Sequence, residues 1–219
     1  MNKYKISLIL NIIIVLLVTL GTVFMITGFR FMSNDLILSV SSIEAFKFFT
    51  VDSNLLIGIA SLIFIYYDCL VISKKKKEIP KYVYIFKHIA TVGVILTFLV
   101  TAFYLAPFSK YNYFAFYKNS NLFFHLIVPI LSFITYVFFE KNKKQERSII
   151  LLGTIPMILY SIFYVIAYLI HLGSDSIKDY DWYNLIGNGV IGAMISIIVM
   201  YVLTYFISYT IWFLNKKSK

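Results

Sequence analysis

The chain has 219 residues, of which 60% are hydrophobic, 19% aromatic and only 14% charged. Soluble domains contain about 45–50% apolar residues, so this composition indicates an integral membrane protein. The formal net charge of +10 does not indicate a nucleic-acid partner, because basic residues of a membrane protein are interpreted by their position along the topology. The single cysteine, Cys69, excludes an intramolecular disulfide and a multi-cysteine metal cluster.

Six apolar stretches are long enough to cross a membrane. A hydrocarbon core of ~30 Å requires about 20 apolar residues in a helix, and a helix satisfies its own backbone in lipid. The sequence therefore predicts an all-α integral membrane protein, a single six-transmembrane-helix bundle over residues 1–219. Pro129 and Pro156 fall inside helices, where we expect kinks that free carbonyl groups. The predicted helices cover residues 6–29, 45–72, 82–106, 121–139, 148–171 and 185–214.

The basic residues predict the orientation of the bundle. The N-terminal tail, the loops 73–81 and 140–147, and the tail 215–219 hold 14 of the 20 Lys and Arg residues. These segments fall on one side of the predicted topology, and the positive-inside rule places that side in the cytoplasm. We therefore expect both termini to be cytoplasmic. The frequent Ile, Lys, Asn and Phe favour a bacterial plasma membrane as the location.

The second and fourth predicted helices each carry a polar face. Polar groups are costly in hydrocarbon unless they face the bundle interior or water, so they are the first candidates for function. At 100° per residue, the face of the second helix collects Thr50, Ser53, Asn54, Ile57, Ser61 and Asp68. The face of the fourth collects Asn121, His125, Pro129, Ser132 and Tyr136.

Thr50 and His125 are predicted to lie at the same depth. Their helices run in the same direction, and at 1.5 Å per residue each lies ~6–8 Å below the start of its helix. A threonine hydroxyl is a weak nucleophile until a base takes its proton, and neutral imidazole is the usual base. We expect Thr50 as nucleophile and His125 as base near the outer interface. Asn54 is a candidate oxyanion donor, and Asn121 a candidate for orienting the ring.

Other interpretations of these residues stay open. Threonine hydroxyls in membrane helices often bond the carbonyl four residues earlier, which would make Thr50 structural, and Ser53 competes with it as nucleophile. His125 is also compatible with a structural hydrogen bond. His171, at the outer end of the fifth helix, either lines the same site or faces headgroups. His88 is expected at the opposite interface, and without HxxxH or HExxH spacing we expect no metal site and no cofactor.

Two stretches resemble the signatures of a known family. FKFFTVDSNLL in the second helix and NLFFHLIVPILSF in the fourth are similar to those of the androgen-induced gene 1 and androgen-dependent TFPI-regulating protein family, with its bacterial six-transmembrane branch, Pr6Pr. The resemblance covers the six-helix layout. Its specific motifs are Phe49-Thr50, His125 followed by Pro129, and the outer His171-Leu-Gly with Trp182-Tyr183.

This resemblance implies an activity. Eukaryotic members of the family are threonine hydrolases that cleave fatty acid esters of hydroxy fatty acids with the motif Thr and His, which match Thr50 and His125 here. The run Asp52-Ser53-Asn54 is more polar than in those members and is similar to the bacterial branch. The implied function is an intramembrane threonine hydrolase whose partner is a membrane lipid or fatty-acid ester. The alternative is a non-enzymatic small transporter or lipid-binding protein with a polar cavity.

Overall fold

A computed structural model describes residues 3–32, 42–141, 145–174, 177–185 and 189–217. Parts of the predicted loop 140–147, of the tail 215–219 and of the predicted sixth helix lie outside the described residues. Six helices in the described residues are long and apolar enough to cross a membrane, which confirms the predicted fold class. They are α1 Lys3–Thr27, α2 Phe49–Ile72, α3 Lys81–Leu105, α4 Ser120–Phe139, α5 Ile149–Ile170 and α6 Val190–Lys217.

Two helices, α2 and α6, begin more than three residues after their predicted starts. α2 begins at Phe49 and not at residue 45, because a 3₁₀ turn, Ile43–Lys47, precedes it and Phe48 between them is extended. Hydrophobicity does not reveal this break, since the residues on both sides are equally apolar. α6 begins after Gly189, whose φ of 87° is a conformation that glycine adopts without strain. Residues 186–188 of the predicted sixth helix lie outside the described residues.

Both intramembrane prolines disturb their helices, as predicted. Pro156 follows a turn that divides α5 into Ile149–Leu152 and Ile155–Ile170. Pro129 follows a π-helical turn, Phe123–Ile127, within α4. Proline has no N–H, and its ring pushes away the carbonyl four residues earlier. The wider π turn accommodates that displacement, and such turns are frequent at functional sites.

α3 is the central helix of the bundle. Of its most apolar 18-residue stretch, 56% is buried, which is the largest buried share among the six spans. It packs against α2, α4, α5 and α6. α1 packs against α2 and α4. α2 meets α4 at the π turn Phe123–Ile127, so the two helices with predicted polar faces are direct neighbours there.

The bundle surface is apolar and much of the polarity lies inside. On α1, Ser7 and Asn11 are fully buried. The large hydrophobic side chains that the same helix exposes are Ile9, Ile12, Ile13, Leu16, Leu20, Val23 and Ile26. This arrangement suits lipid, where polar groups must find their partners within the bundle.

Candidate functional site

Asn54 joins the turn of α2 that carries Thr50 to the turn of α4 that carries His125. Its Nδ2 donates to the Thr50 carbonyl at 2.8 Å and to the Phe124 carbonyl at 3.2 Å. Both neighbours are acceptors, so the side chain must present its NH₂ group here. Because the two carbonyl oxygens share one nitrogen, they are at most about 6 Å apart. Thr50 and His125 therefore lie on facing turns of adjacent helices.

The Phe124 carbonyl is available because Pro129 removes its backbone donor. In an α-helix this carbonyl would accept from Val128, but in the π turn the Val128 N–H bonds Phe123 instead. The next N–H would belong to residue 129, and proline has none. A buried carbonyl without a donor costs ~1–3 kcal/mol, and Asn54 supplies the missing donor. With both amide hydrogens engaged, Asn54 supports the helix pair and has none left for an oxyanion.

His125 is buried, and its hydrogen bond defines its tautomer. Its Nδ1 lies 3.0 Å from the carbonyl of Phe116, in the 3₁₀ turn Tyr113–Tyr117 that packs against the His125 turn. A carbonyl can only accept, so Nδ1 carries the hydrogen. In the neutral ring, Nε2 then keeps a free lone pair. This is the tautomer that a general base requires.

Thr50 differs from other threonines of the membrane helices. Six of those donate their hydroxyl to the carbonyl four residues earlier: Thr22, Thr27, Thr91, Thr97, Thr135 and Thr204. Thr50 is the second residue of α2, so the corresponding carbonyl belongs to the separate 3₁₀ turn. Within the part of the chain that the structure describes, its half-buried hydroxyl has no hydrogen-bond partner, His125 included.

Ser53 faces α3 and not α4. Its buried hydroxyl donates to the Thr50 carbonyl at 3.1 Å and lies 3.1 Å from the Thr97 hydroxyl. The helices are in close contact here, since a Cβ on Gly93 would stand 3.3 Å from the Ser53 Cβ. Ser53 as nucleophile would have to act from between α2 and α3, whereas His125 lies on α4.

Asn121 lies on the same helix as His125, whereas His171 lies at the end of α5. Asn121 is buried in the first turn of α4, one turn before His125. His171 follows α5, where its Nδ1 donates to the carbonyl one turn earlier at 2.8 Å. Its ring stacks on Tyr180, with the ring centroids 3.3 Å apart and the planes 7° apart. His171 is therefore engaged with the short 3₁₀ helix Ile177–Tyr180, which follows α5.

An aromatic cap covers the start of α2. It consists of Tyr160, Trp182 and Tyr183. The Tyr160 hydroxyl donates to the Lys47 carbonyl at 2.5 Å and accepts from Trp182 Nε1 at 3.0 Å. The Tyr183 hydroxyl accepts the N–H of Phe49 at 3.1 Å. The cap therefore satisfies a backbone donor that the first turn of a helix leaves without a partner, and it fixes the segment between α5 and α6 over that turn.

A second polar site, which the sequence analysis missed, lies toward the other end of the bundle. Lys87 Nζ donates to Asn11 Oδ1 and to Ser61 Oγ, both at 2.6 Å, and lies 3.9 Å from Glu140 Oε1. We call the site the ionic cluster. Its members, all buried, are Ser7, Asn11, Ser61, Asp68, Lys87 and Glu140.

The sequence did not predict the burial of Glu140. This residue follows the last residue of α4, where the predicted loop 140–147 begins, but its side chain turns into the bundle. Burial raises its pKa, while Lys87 and the hydrogen bond from Asn11 oppose the rise. A lysine one turn inside a membrane span, together with Asp68 on the polar face of α2, was the available signal.

The predicted interfacial position of His88 is wrong. Its ring is fully buried, and Nε2 lies 2.8 Å from the Ser208 hydroxyl, which donates to the Ile150 carbonyl at 2.8 Å. Because Ser208 uses its only hydrogen on that carbonyl, Nε2 of His88 carries the N–H. His88 thus links α3 to α5 and α6. Its burial follows from the central place of α3, whose first turns these helices cover.

A groove on the bundle surface lies apart from both polar sites. It has a volume of about 520 Å³ and a mainly apolar lining from α5 and α6. The lining residues are Thr154, Ile158, Tyr201, Val202, Tyr205 and Phe206. None of the predicted site residues contributes to it. Among the described residues, no group of three or more His, Cys, Asp or Glu side chains is arranged to hold a metal ion.

The six spans and the buried polar sites define an all-α, multi-pass membrane protein. No protein-family model, no curated protein and no solved structure matches the chain. The family resemblance of the two motifs, and the activity that it implies, therefore stay predictions.

Proposed function

We propose that this protein is an intramembrane hydrolase of lipid esters, with Thr50 as nucleophile and His125 as general base. The observation that carries the proposal is the Asn54 bridge, which holds the turns of Thr50 and His125 side by side. The free Thr50 hydroxyl and the Nδ1–H tautomer of His125 support the same roles. So does the resemblance to a family of threonine hydrolases. Asn121 and His171 are proposed to support the site, and Ser53 is the competing nucleophile.

The reaction proceeds through an acyl-enzyme. His125 Nε2 takes the proton of the Thr50 hydroxyl as the oxygen attacks the ester carbonyl. The tetrahedral intermediate collapses, the alkoxide leaves, and His125 returns the proton to it. A water molecule, deprotonated by His125, then releases the fatty acid and restores the threonine. The Phe116 carbonyl accepts from Nδ1–H throughout and stabilises the imidazolium that forms.

The position of Thr50 suits a lipid substrate. Thr50 lies in the first turn of α2, where the positive end of the helix dipole favours a developing oxyanion. With both termini in the cytoplasm of a bacterial cell, this turn lies at the outer interface of the plasma membrane. An ester can reach it laterally from the bilayer while water arrives from outside.

Fluorophosphonate labelling of the purified protein in detergent tests the proposal. We expect labelling of the wild type, none of Thr50→Ala, and full labelling of Thr22→Ala, a half-buried threonine whose hydroxyl is bonded within its own helix. His125→Asn keeps a donor toward the Phe116 carbonyl but lacks the base, so its labelling should slow by about 10²–10⁴. Labelling that persists in Thr50→Ala and disappears in Ser53→Ala rejects the assignment.

The ionic cluster favours the alternative function, a non-enzymatic transporter or lipid-binding protein with a polar cavity. Buried ionisable groups often mark a transport path. However, an apolar layer separates the cluster from the Asn54 bridge, so the two polar sites do not form a continuous path. The layer consists of Ile14, Ile57, Val94 and Val128, all fully buried. Absence of both labelling and ester turnover in lipid nanodiscs would favour the alternative.

A further inference from the structure

The ionic cluster places charged groups deep in the bundle. Ser61 is the thirteenth residue of the 24-residue helix α2, so the Lys87 ammonium bonded to it at 2.6 Å lies close to half the length of that helix. Lys87, Asp68 and Glu140 are each at most 2% exposed. Ionised groups at this depth are costly unless they are balanced and hydrogen-bonded.

The charges of the cluster do not balance when every group is ionised. Two carboxylates, Asp68 and Glu140, face one ammonium, Lys87. Other titratable groups within electrostatic reach, or on the same turn of α3, are Lys3, Tyr4, Tyr84, His88 and Tyr136. Tyrosine and buried histidine are neutral at neutral pH, and Lys3 is exposed at the start of α1. One further positive charge is needed inside the cluster.

The hydrogen bonds show the same deficit. Ser7 Oγ lies 2.7 Å from Asp68 Oδ2 and 3.5 Å from Glu140 Oε1. The two hydrogens of Asn11 Nδ2 serve Glu140 Oε1 at 2.6 Å and the Ser7 carbonyl at 3.0 Å. With one hydroxyl hydrogen, Ser7 can serve only one of the two carboxylates. Among the described residues, Asp68 Oδ1 and Glu140 Oε2 are buried without a partner.

A proton on Asp68 Oδ2 lets Ser7 serve both carboxyl groups without moving a heavy atom. Asp68 would donate it to Ser7 Oγ across the existing 2.7 Å, and Ser7 would then donate its own hydrogen to Glu140 Oε1. Glu140 already has the partners of an ionised carboxylate, since Asn11 Nδ2 donates to it at 2.6 Å and Lys87 lies 3.9 Å away. Asp68, in contrast, has Ser7 as its one hydrogen-bond partner among the described residues.

A metal cation fits the cluster poorly. The Lys87 ammonium and the NH₂ group of Asn11 both point their hydrogens into it, and they would repel a cation. Ca²⁺ and Mg²⁺, the cations that carboxylates usually bind, prefer a shell of several oxygen ligands. The proton is the cation that needs only one oxygen and one acceptor, and both are present at Asp68 and Ser7.

We propose that Asp68 is a buried proton-binding site and that the chain Asp68, Ser7, Glu140 is a proton relay within the bundle. In a transfer, Asp68 gives its proton to Ser7 while Ser7 gives its own to Glu140, which leaves Asp68 ionised and Glu140 neutral. The apolar layer separates this relay from Thr50 and His125, so it is independent of the proposed hydrolase.

Infrared spectroscopy of the full-length wild type in lipid nanodiscs tests the site. With aspartate ¹³C-labelled at the carboxyl group, we expect one protonated aspartic acid band per chain at neutral pH. The band should be lost in Asp68→Asn and retained in Asp52→Asn, a half-buried aspartate at the other end of α2. Absence of the band in the wild type, which needs no variant to fold, or its loss in Asp52→Asn overturns the proposal.

The relay is tested by Ser7→Ala. Without the hydroxyl, the band of Asp68 should shift to higher frequency and its hydrogen–deuterium exchange should slow. Ser132→Ala is the matched control, because this buried serine donates only to a backbone carbonyl of its own helix, at 2.7 Å. An unchanged band and exchange rate in Ser7→Ala overturns the relay.

Discussion

Replacing Asn54 by Leu should destabilise the bundle mainly through the carbonyl that Pro129 leaves without a donor. Leu has the same number of side-chain heavy atoms as Asn, in the same branched arrangement, so the change removes polar groups without opening a cavity. It removes the hydrogen bonds to the Thr50 and Phe124 carbonyls. The Thr50 carbonyl keeps the Ser53 hydroxyl as a donor, whereas the Phe124 carbonyl loses its replacement donor.

The magnitude follows from these contacts. Two hydrogen bonds within a membrane are worth about 0.6 kcal/mol each, and the orphaned Phe124 carbonyl adds ~1–3 kcal/mol. Asn54 Oδ1 is buried without a partner among the described residues, which itself costs stability. Its removal therefore offsets part of the loss. We expect a net loss of about 2 kcal/mol in the free energy of unfolding. In a Pro129→Ala background residue 129 regains an N–H, so the loss should fall to about 1 kcal/mol.

A double-mutant cycle over positions 54 and 129 measures this coupling, with reversible unfolding in mixed micelles as the assay. The cavity that Pro129→Ala leaves is present both in that single variant and in the double variant with Asn54→Leu. Its cost therefore cancels in the cycle. Ser132→Ala, a buried change that orphans no carbonyl, should cost far less than Asn54→Leu. The reasoning would be refuted if Asn54→Leu lowered the free energy of unfolding equally, within about 0.5 kcal/mol, in the wild-type and Pro129→Ala backgrounds.

Three further predictions use the same unfolding assay. Gly21→Ala should cost about 1–3 kcal/mol by overpacking, because its Cβ would stand 2.7 Å from Cε1 of Phe124; a neutral result would mean that α1 moves freely there. Lys87→Met should cost about 3–5 kcal/mol by leaving a buried carboxylate unpaired, and adding Glu140→Gln should recover part of it; no recovery would argue against the pair. Glu146 has its pKa lowered by an exposed lysine partner, so its contribution is present at neutral pH and is lost as pH falls through that pKa. Because the pair is exposed, that contribution is small, so Glu146→Gln should lower the unfolding midpoint only slightly at neutral pH and not at all below the pKa of Glu146; a large shift at neutral pH would contradict this.

Hydrophobicity and helical period predicted most of the architecture. The six spans follow from apolar length, because a membrane admits few other solutions. The polar face of α2 follows from its 100° period, and Ser53, Asn54, Ser61 and Asp68 are indeed buried. Period assigns residues to a face, but it does not say which helix that face meets. Ser53 and Asn54 are adjacent in sequence, yet one contacts α3 and the other α4.

The contacts of the site depended on backbone register, which the sequence pattern does not contain. The bond from Asn54 to the Phe124 carbonyl exists because a π turn and Pro129 together remove a donor. The sequence indicated a kink at Pro129, but not which carbonyl it frees or what satisfies it. The burial of Glu140 could not be predicted for a different reason. Its basic neighbours indicate a loop, and only the docking of α1 and α3 shows that its side chain turns inward.

The placement of the two polar sites along α2 implies that they act separately. Asn54 and Ser61 are two turns apart, or about 10 Å along the helix, and Ile57 of the apolar layer fills the interval. An apolar layer of this thickness excludes water and interrupts any chain of hydrogen bonds, so a proton at Asp68 has no route to His125. The layer also packs densely, and a packed interior transmits strain from one end to the other. Removing a charge from the ionic cluster should therefore leave Thr50 labelling unchanged, whereas enlarging Gly58, where a Cβ would stand 3.0 Å from a methyl group of α1, should disturb both sites at once.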